Sequence, residues 1–189
     1  LNDIAFSGDG EPTTYRNFDE IIDSCAALKR KHQLDTVKMV LITNASMFHR
    51  EHVKRGLEMM DANQGEIWAK LDAGTQQYYQ MIERTSIPFQ QVLDNIEQAA
   101  RLRPIVIQSL FMRINNEGPD DRELEMFCER LAHVTRQGGE ISLVQIYTVA
   151  RKPTESFVTP LADVEVDRIV ELVNSKTGLQ TVGYYGYSS

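Results

Sequence analysis

Apolar positions along this chain follow two spacings, and their alternation predicts a regular order of strands and helices. Short apolar runs rich in β-branched residues predict strands at 4–6, 37–42, 66–71, 104–112, 141–149 and 180–185. Apolar residues at helical spacing predict helices that begin near 18, 88 and 119, and helices over 49–60, 75–84 and 163–177. Segment 113–118 is predicted to be a loop.

The strand–helix spacing suits parallel βαβ crossovers, since a helix must return the chain between parallel strands. No linker or low-complexity segment divides residues 1–189. We therefore predict a single α/β domain with a parallel, mostly buried sheet. The sheet either curls as part of a TIM-like (β/α) barrel or stays open and doubly wound.

Composition and charge narrow the class of protein. Of 189 residues, 42% are hydrophobic and 25% are charged, as in soluble globular domains. No apolar run approaches the roughly 20 residues that cross a bilayer, so we expect no membrane partner. The formal net charge of −7 argues against a broadly basic nucleic-acid-binding surface.

The cysteines and histidines do not indicate a metal site. Cys25 and Cys128 fall on the apolar stripes of predicted helices without CxxC-type spacing, which favours structural thiols in a reducing cytoplasm. His49 and His52 lie three residues apart, but no third ligand is near them in the sequence. We therefore predict a cytoplasmic protein whose residues bind no metal.

Polar residues follow nearly every predicted strand, and parallel strands would bring them to one edge of the sheet. Taken singly, Asn44 fits a turn, Lys70 and Asp72 fit a salt bridge, and Arg151 fits a contact with helix-end carbonyls. Their shared position predicts a convergent ligand site. The set comprises residues 8–13, Thr43, Asn44, Lys70, Asp72, Gln108, Ser109, Arg113, Tyr147 and Arg151.

Residues 6–13 read Phe-Ser-Gly-Asp-Gly-Glu-Pro-Thr. Two glycines after a strand let the backbone approach a ligand closely. This octapeptide resembles the GGE motif of the radical S-adenosylmethionine (SAM) superfamily, in its Ser-Gly-x-Gly-Glu-Pro-Thr form. Three later segments are similar to strands of that family: 41–45, with Ala45 in place of a glycine, 70–73 and 144–151. The chain most resembles the bacterial Fe–S oxidoreductase branch related to wyosine-type tRNA-modifying enzymes.

The resemblance implies a SAM site built from strand ends. Residues Gly8, Asp9, Gly10, Glu11 and Pro12 would hold the amino group of the methionine moiety. Asn44 and Lys70 would bind the carboxylate of that moiety, with Thr43 beside them. Asp72 would bind the ribose, and Ser109 and Arg151 would lie on later strands near the cofactor. An intact enzyme would reductively cleave SAM to a 5′-deoxyadenosyl radical, which abstracts hydrogen from a substrate the sequence does not identify.

One departure from the family is large. Its CxxxCxxC loop, which supplies three thiolates to a [4Fe-4S] cluster, is absent, and Cys25 and Cys128 cannot replace it. We therefore expect the chain to be a fragment of the radical SAM core that lacks its first strand and is inactive by itself. The exposed sheet edge would allow a dimer. A tRNA substrate is possible within the family, although the acidic charge does not support it.

Two other functions stay open from the residues. Lys70, at the end of an apolar strand, could form a Schiff base as in a class I aldolase-like lyase. Alternatively, the chain could be a non-catalytic binding domain derived from a barrel.

Overall fold

The computed structural model describes residues 1–186. Eight strands and six helices follow one another along the chain. The strands are β1 (Asp3–Phe6), β2 (Lys38–Thr43), β3 (Gly65–Lys70), β4 (Ile105–Leu110), β5 (Met112–Ile114), β6 (Ile141–Tyr147), β7 (Val158–Pro160) and β8 (Thr181–Tyr184). The helices are α1 (Phe18–Lys31), α2 (Glu51–Asp61), α3 (Gln76–Glu83), α4 (Phe89–Leu102), α5 (Asp121–Arg136) and α6 (Asp163–Thr177).

Six strands form one parallel sheet in the order β1-β2-β3-β4-β6-β8. The order never reverses, and right-handed crossovers that advance in one direction place every connecting helix on the same face. A doubly wound sheet needs a reversal of strand order, so that alternative is wrong. The fold is α/β, as predicted, and corresponds to part of a TIM-like barrel. Among the described residues, β1 and β8 are the two edges and do not pair to close it.

The main core lies between this sheet and its helices. Alternate strand residues face the helices, among them Leu41 on β2, Ile67 on β3, Ile107 on β4 and Ile146 on β6, each 2% exposed or less. They pack with the apolar stripes of the helices, including Ile22, Leu57, Ile96, Leu131 and Ile169. No helix of the described chain is long and apolar enough to cross a membrane.

The opposite, concave face of the sheet carries polar side chains among apolar ones, and its residues lie outside the main core cluster. Trp68 donates its indole N–H to Glu66 at 3.2 Å, and Lys38 pairs with the same carboxylate. Gln108 donates to Gln145 at 3.1 Å across the β4–β6 pair. Register places Lys70 beside Gln108, and hence on this same face.

Most predicted elements agree with the structure to within a few residues, and the helix at Asp163–Thr177 has the predicted bounds. The loop predicted at 113–118 is wrong in part, because β5 extends to Ile114 and pairs with β7 in a small antiparallel sheet. Cys128 is buried, as predicted, whereas Cys25 is only partly buried. Both thiols are free.

Candidate functional site

The loop after β1 is fixed to the end of β2 by the Glu11 side chain. Its carboxylate accepts hydrogen bonds from the Thr43 hydroxyl at 2.6 Å and the Asn44 N–H at 2.7 Å. It also accepts from the backbone N–H of Thr13, at 3.1 Å, and from the Thr13 hydroxyl. Three of these donors share Oε1, whereas Oε2 accepts only the Asn44 N–H and keeps a lone-pair site. Glu11 therefore holds the loop in place, and Pro12 begins the short 3₁₀ turn that follows.

The glycines of this loop are not required by packing. Gly8, Asp9 and Gly10 are exposed, and a Cβ placed at Gly8 or Gly10 would meet no atom within 4 Å. Their backbone N–H and carbonyl groups are therefore open to a ligand, while the neighbouring Glu11 carboxylate already binds the chain through both of its oxygens.

Lys70 and Asp72 form an ion pair at the end of β3, with Nζ 3.0 Å from Oδ2. The Lys70 side chain is 32% exposed and the Asp72 side chain is 2% exposed. The other Asp72 oxygen accepts the Leu110 N–H at 2.7 Å, so this carboxylate also joins β3 to β4. Each Asp72 oxygen therefore has one partner in the chain and one lone-pair site left over.

Two further ionisable side chains surround this pair. Tyr147, at the end of β6, lies within hydrogen-bonding reach of Lys70, and burial raises the pKa of its phenol to about 12. Glu83, on the last turn of α3, lies within reach of Asp72. Burial and the Asp72 charge together raise the pKa of Glu83 to about 7. At neutral pH the Glu83 carboxyl is therefore partly protonated.

Sequence reasoning missed Glu83. A glutamate at the end of a short helix has no motif, and its role depends on a tertiary contact with Asp72. One signal was available: Glu83 stands four residues after Tyr79, which is buried, and residues four apart share a helix face.

Helix α3 reaches the site because its N-terminus is bound to α5. Glu123, 3% exposed, accepts the Gly74 N–H, the Thr75 N–H at 3.1 Å and the Thr75 hydroxyl at 2.6 Å. A Cβ at Gly74 would lie 2.2 Å from the Phe127 nitrogen, so only glycine permits this close approach. Thr75 then caps α3 by accepting the Tyr78 N–H at 3.2 Å.

These side chains enclose a cavity of about 160 Å³ at the carboxyl end of the strands. Asn44, Lys70 and Asp72 line it, and they come from two different strand ends. The rest of its wall comes from the segments after β2 and β3, from α3, from the α3–α4 loop and from α4: Ser46, Leu71, Tyr79, Glu83, Thr85, Ile87 and Val92. The Ser46 hydroxyl is buried without a hydrogen-bond partner in the described chain. The cavity thus combines apolar surface with an ammonium group, carboxyl groups and an unused hydroxyl, as small-molecule sites do.

The loop at 8–12 does not line this cavity, and three further predicted residues also lie away from it. Ser109 is 0% exposed and faces the helix side of the sheet, where its hydroxyl has no partner in the described chain. Thr43 is 1% exposed, and its hydroxyl donates to Glu11 and accepts the Ala45 N–H. Arg151 is exposed in the segment after β6. The structure therefore brings together Asn44, Lys70 and Asp72, with Glu11 supporting Asn44 from outside the cavity.

The described residues suit an organic ligand better than a metal cluster. Residues 1–186 hold no group of three or more His, Cys, Asp or Glu side chains placed to bind one ion. Cys25 on α1 and Cys128 on α5 lie on separate elements, so they do not fit a [4Fe-4S] cluster. The Lys70 ammonium and the Glu83 carboxyl, by contrast, fit the carboxylate and the cationic groups of SAM.

The aldolase-like alternative meets a physical obstacle at Lys70. A Schiff-base lysine needs a neutral amine, and lysines of that kind have lowered pKa values. Here the Asp72 charge raises the pKa of Lys70 above its ordinary value and outweighs the opposite effect of burial. Lys70 is therefore held as an ammonium ion.

Comparison with known proteins identifies a similar fold but does not identify a reaction. No family model matches the chain, and no curated protein matches it by sequence. A solved structure of TYW1 with a lysine-pyruvate adduct bound matches with a TM-score of 0.63 over 92% of this chain. The chain spans about half of that structure, 50% of its length, at 14% sequence identity. At this identity the match shows a shared fold alone.

Proposed function

We propose that this chain is the SAM-binding part of a radical SAM oxidoreductase. The observation that carries the proposal is the single cavity lined by Asn44, Lys70 and Asp72. These residues were predicted from separate strand ends, and the family resemblance implies a SAM role for each of them. The fold shared with TYW1, which is a radical SAM enzyme, supports the same assignment.

Each side chain has a distinct part in this proposal. The Lys70 ammonium binds the carboxylate of the methionine moiety, because Asp72 keeps Lys70 charged. The Asn44 amide supplies a further hydrogen bond to that carboxylate. Asp72 contributes to the ribose side of the site, and the exposed backbone carbonyl groups of 8–10 accept hydrogen bonds from the amino group. Bound SAM would supply the radical chemistry, and the residues of this chain orient it.

Binding of SAM to the chain, measured by isothermal titration calorimetry, tests the proposal. Lys70→Gln removes the positive charge that binds the SAM carboxylate. The affinity for SAM should fall at least about tenfold, which is the effect of losing one charge-assisted hydrogen bond. Lys31→Gln, an exposed lysine at the end of α1, is the control and should bind as the unchanged chain does. No binding of SAM, or equal binding by Lys70→Gln, would overturn the assignment.

The reductive step needs a cluster that the described residues do not fit. Its test is a chain extended upstream of Leu1 and reconstituted anaerobically with iron and sulfide. A CxxxCxxC segment, cluster absorbance and SAM cleavage are expected. An extended chain without the three cysteines would favour a non-catalytic binding domain instead.

A further inference from the structure

The Glu83 carboxyl lacks a matched partner in the described chain. It lines the cavity from α3 and lies within hydrogen-bonding reach of Asp72, which is itself an acid. Within residues 1–186 no N–H group or cation forms a hydrogen bond with Glu83, and the Lys70 charge acts on it only through space. Glu83 is thus a half-buried carboxyl without a cation of its own.

The neighbouring charges cannot supply that cation. Asp72 accepts the Leu110 N–H with one oxygen and pairs with Lys70 through the other. The cluster therefore holds two carboxyl groups for one fixed positive charge, and that charge lies against Asp72. Tyr147 from β6 and Tyr79 on α3 also face Glu83, and burial raises the pKa of both phenols, so they stay neutral.

A proton on Glu83 compensates for the missing cation in the empty cavity. A positive ligand group at the same place would stabilise the ionised carboxylate and release the proton to solvent. No bond other than the O–H bond of Glu83 changes in this exchange. A neutral group at the same place offers no such stabilisation.

We propose that Glu83 is the specificity-determining residue of the cavity, exchanging its proton for a sulfonium cation and so selecting SAM over the neutral thioether S-adenosylhomocysteine. The inference rests on the proposed function and names how that same site distinguishes two ligands. Both ligands carry the same ammonium and carboxylate groups, so the sulfonium charge alone separates them.

Calorimetric titration of the chain with each ligand, in two buffers of different ionisation enthalpy, measures the protons released. The titrations are kept at pH 6 and 7, where the α-amino group of the ligand stays largely protonated. At pH 7 SAM should release about half a proton, because Glu83 titrates near 7. SAM affinity should rise about fivefold from pH 6 to pH 7 as Glu83 ionises. S-adenosylhomocysteine should release no proton and show no such rise.

The variant Glu83→Gln keeps the size of the side chain and cannot ionise. It should lose both the proton release and the pH dependence, and its preference for SAM over S-adenosylhomocysteine should fall. Glu171→Gln, an exposed glutamate on α6, should retain both. Thermal unfolding of each variant checks that the fold is kept.

The outcomes separate this inference from the proposed function. Binding of SAM without proton release, or equal proton release by both ligands, would overturn the role of Glu83 and leave the SAM site standing. Absence of SAM binding would overturn both. Carboxyl carbon NMR of the ligand-free chain supplies a measurement independent of ligand, and titration of Glu83 near its ordinary value would also overturn the inference.

Discussion

The Glu11 carboxylate accepts the backbone N–H of Asn44 at 2.7 Å, and this bond joins the loop after β1 to the end of β2. Asp72 and Leu110 repeat the same arrangement between β3 and β4, also at 2.7 Å. In both cases a carboxylate that follows one strand receives an N–H from the end of the next. The positions of the cavity residues therefore depend on contacts between strand ends.

Glu11→Ala should destabilise the chain, because it leaves the Asn44 N–H and the Thr43 hydroxyl without their acceptor. Loss of charge-assisted hydrogen bonds of this kind costs about 1–3 kcal/mol. Urea unfolding followed by circular dichroism measures the change. Asp9→Ala, at an exposed position in the same loop, should be nearly neutral, and an equal loss in both variants would contradict the role of Glu11.

Asp72→Asn keeps an acceptor for the Leu110 N–H and removes the charge beside Lys70. The pKa of Lys70 should fall, since the Asp72 charge is the main reason that it is raised. Reaction of Lys70 with an amine reagent at pH 9, followed by mass spectrometry, should become faster by about tenfold or more, as a shift of one pKa unit implies. Lys31 serves as the internal reference. An unchanged rate would show that the ion pair does not set the charge of Lys70.

Glu83→Gln should change how stability depends on pH. In the folded chain the pKa of Glu83 is raised to about 7 from an unfolded value of 4.5, so the unfolded state gives up its proton first. The Glu83 contribution to stability is therefore lost as pH rises from about 4.5 to 7. At pH 8 the free energy of unfolding of the variant should exceed that of the unchanged chain by about 1 kcal/mol, a value discounted for solvent exposure. At pH 4 the two free energies should be equal. Chemical denaturation at both pH values decides, and a difference independent of pH would contradict the prediction.

Gly74→Ala should be among the most damaging of small substitutions. Its Cβ would lie 2.2 Å from the Phe127 nitrogen, so α3 must move away from α5. Overpacking of this kind costs about 1–3 kcal/mol or more. Gly10→Ala is the matched control, because a Cβ there meets nothing within 4 Å. The thermal midpoint of Gly74→Ala should drop while that of the control stays close to the original. Equal midpoints would exclude the close approach.

Strand β1 should mediate a dimer of the chain, because its outer edge is unpaired among the described residues. The Asn2 carbonyl accepts from Lys38, so in a parallel pair the backbone of Ala5 points to the free edge. Ala5→Pro removes the Ala5 N–H donor from the free edge and breaks no hydrogen bond between β1 and β2. It should convert a concentration-dependent dimer into a monomer. Light scattering after gel filtration measures the mass. A monomer at all concentrations would contradict the prediction.

Periodicity predicted the fold because long elements repeat their apolar spacing several times. The six sheet strands and α6 illustrate this. Strands β5 and β7 have three residues each, too few to show a period, and β5 falls within a segment that reads as a loop. Their pairing arises from contacts between segments far apart in the chain.

The site was predictable only where a strand end supplied the residue. Asn44, Lys70 and Asp72 follow apolar runs, which marked them in the sequence. Ser109 follows such a run too, but the two-residue alternation of a strand turns it towards the helices. Glu83 could not be found in this way, because α3 enters the site only through the tertiary bonds between Gly74, Thr75 and Glu123.

The position of Trp68 has a practical consequence for anyone who studies the concave face. Trp68 is the only tryptophan of the 189 residues, and it stands on that face hydrogen-bonded to Glu66. Indole fluorescence of the unlabelled chain therefore comes from one place, two residues from Lys70. Binding of a molecule to the concave face of the sheet should change the wavelength or intensity of the Trp68 fluorescence. Binding on the helical side should leave that fluorescence unchanged.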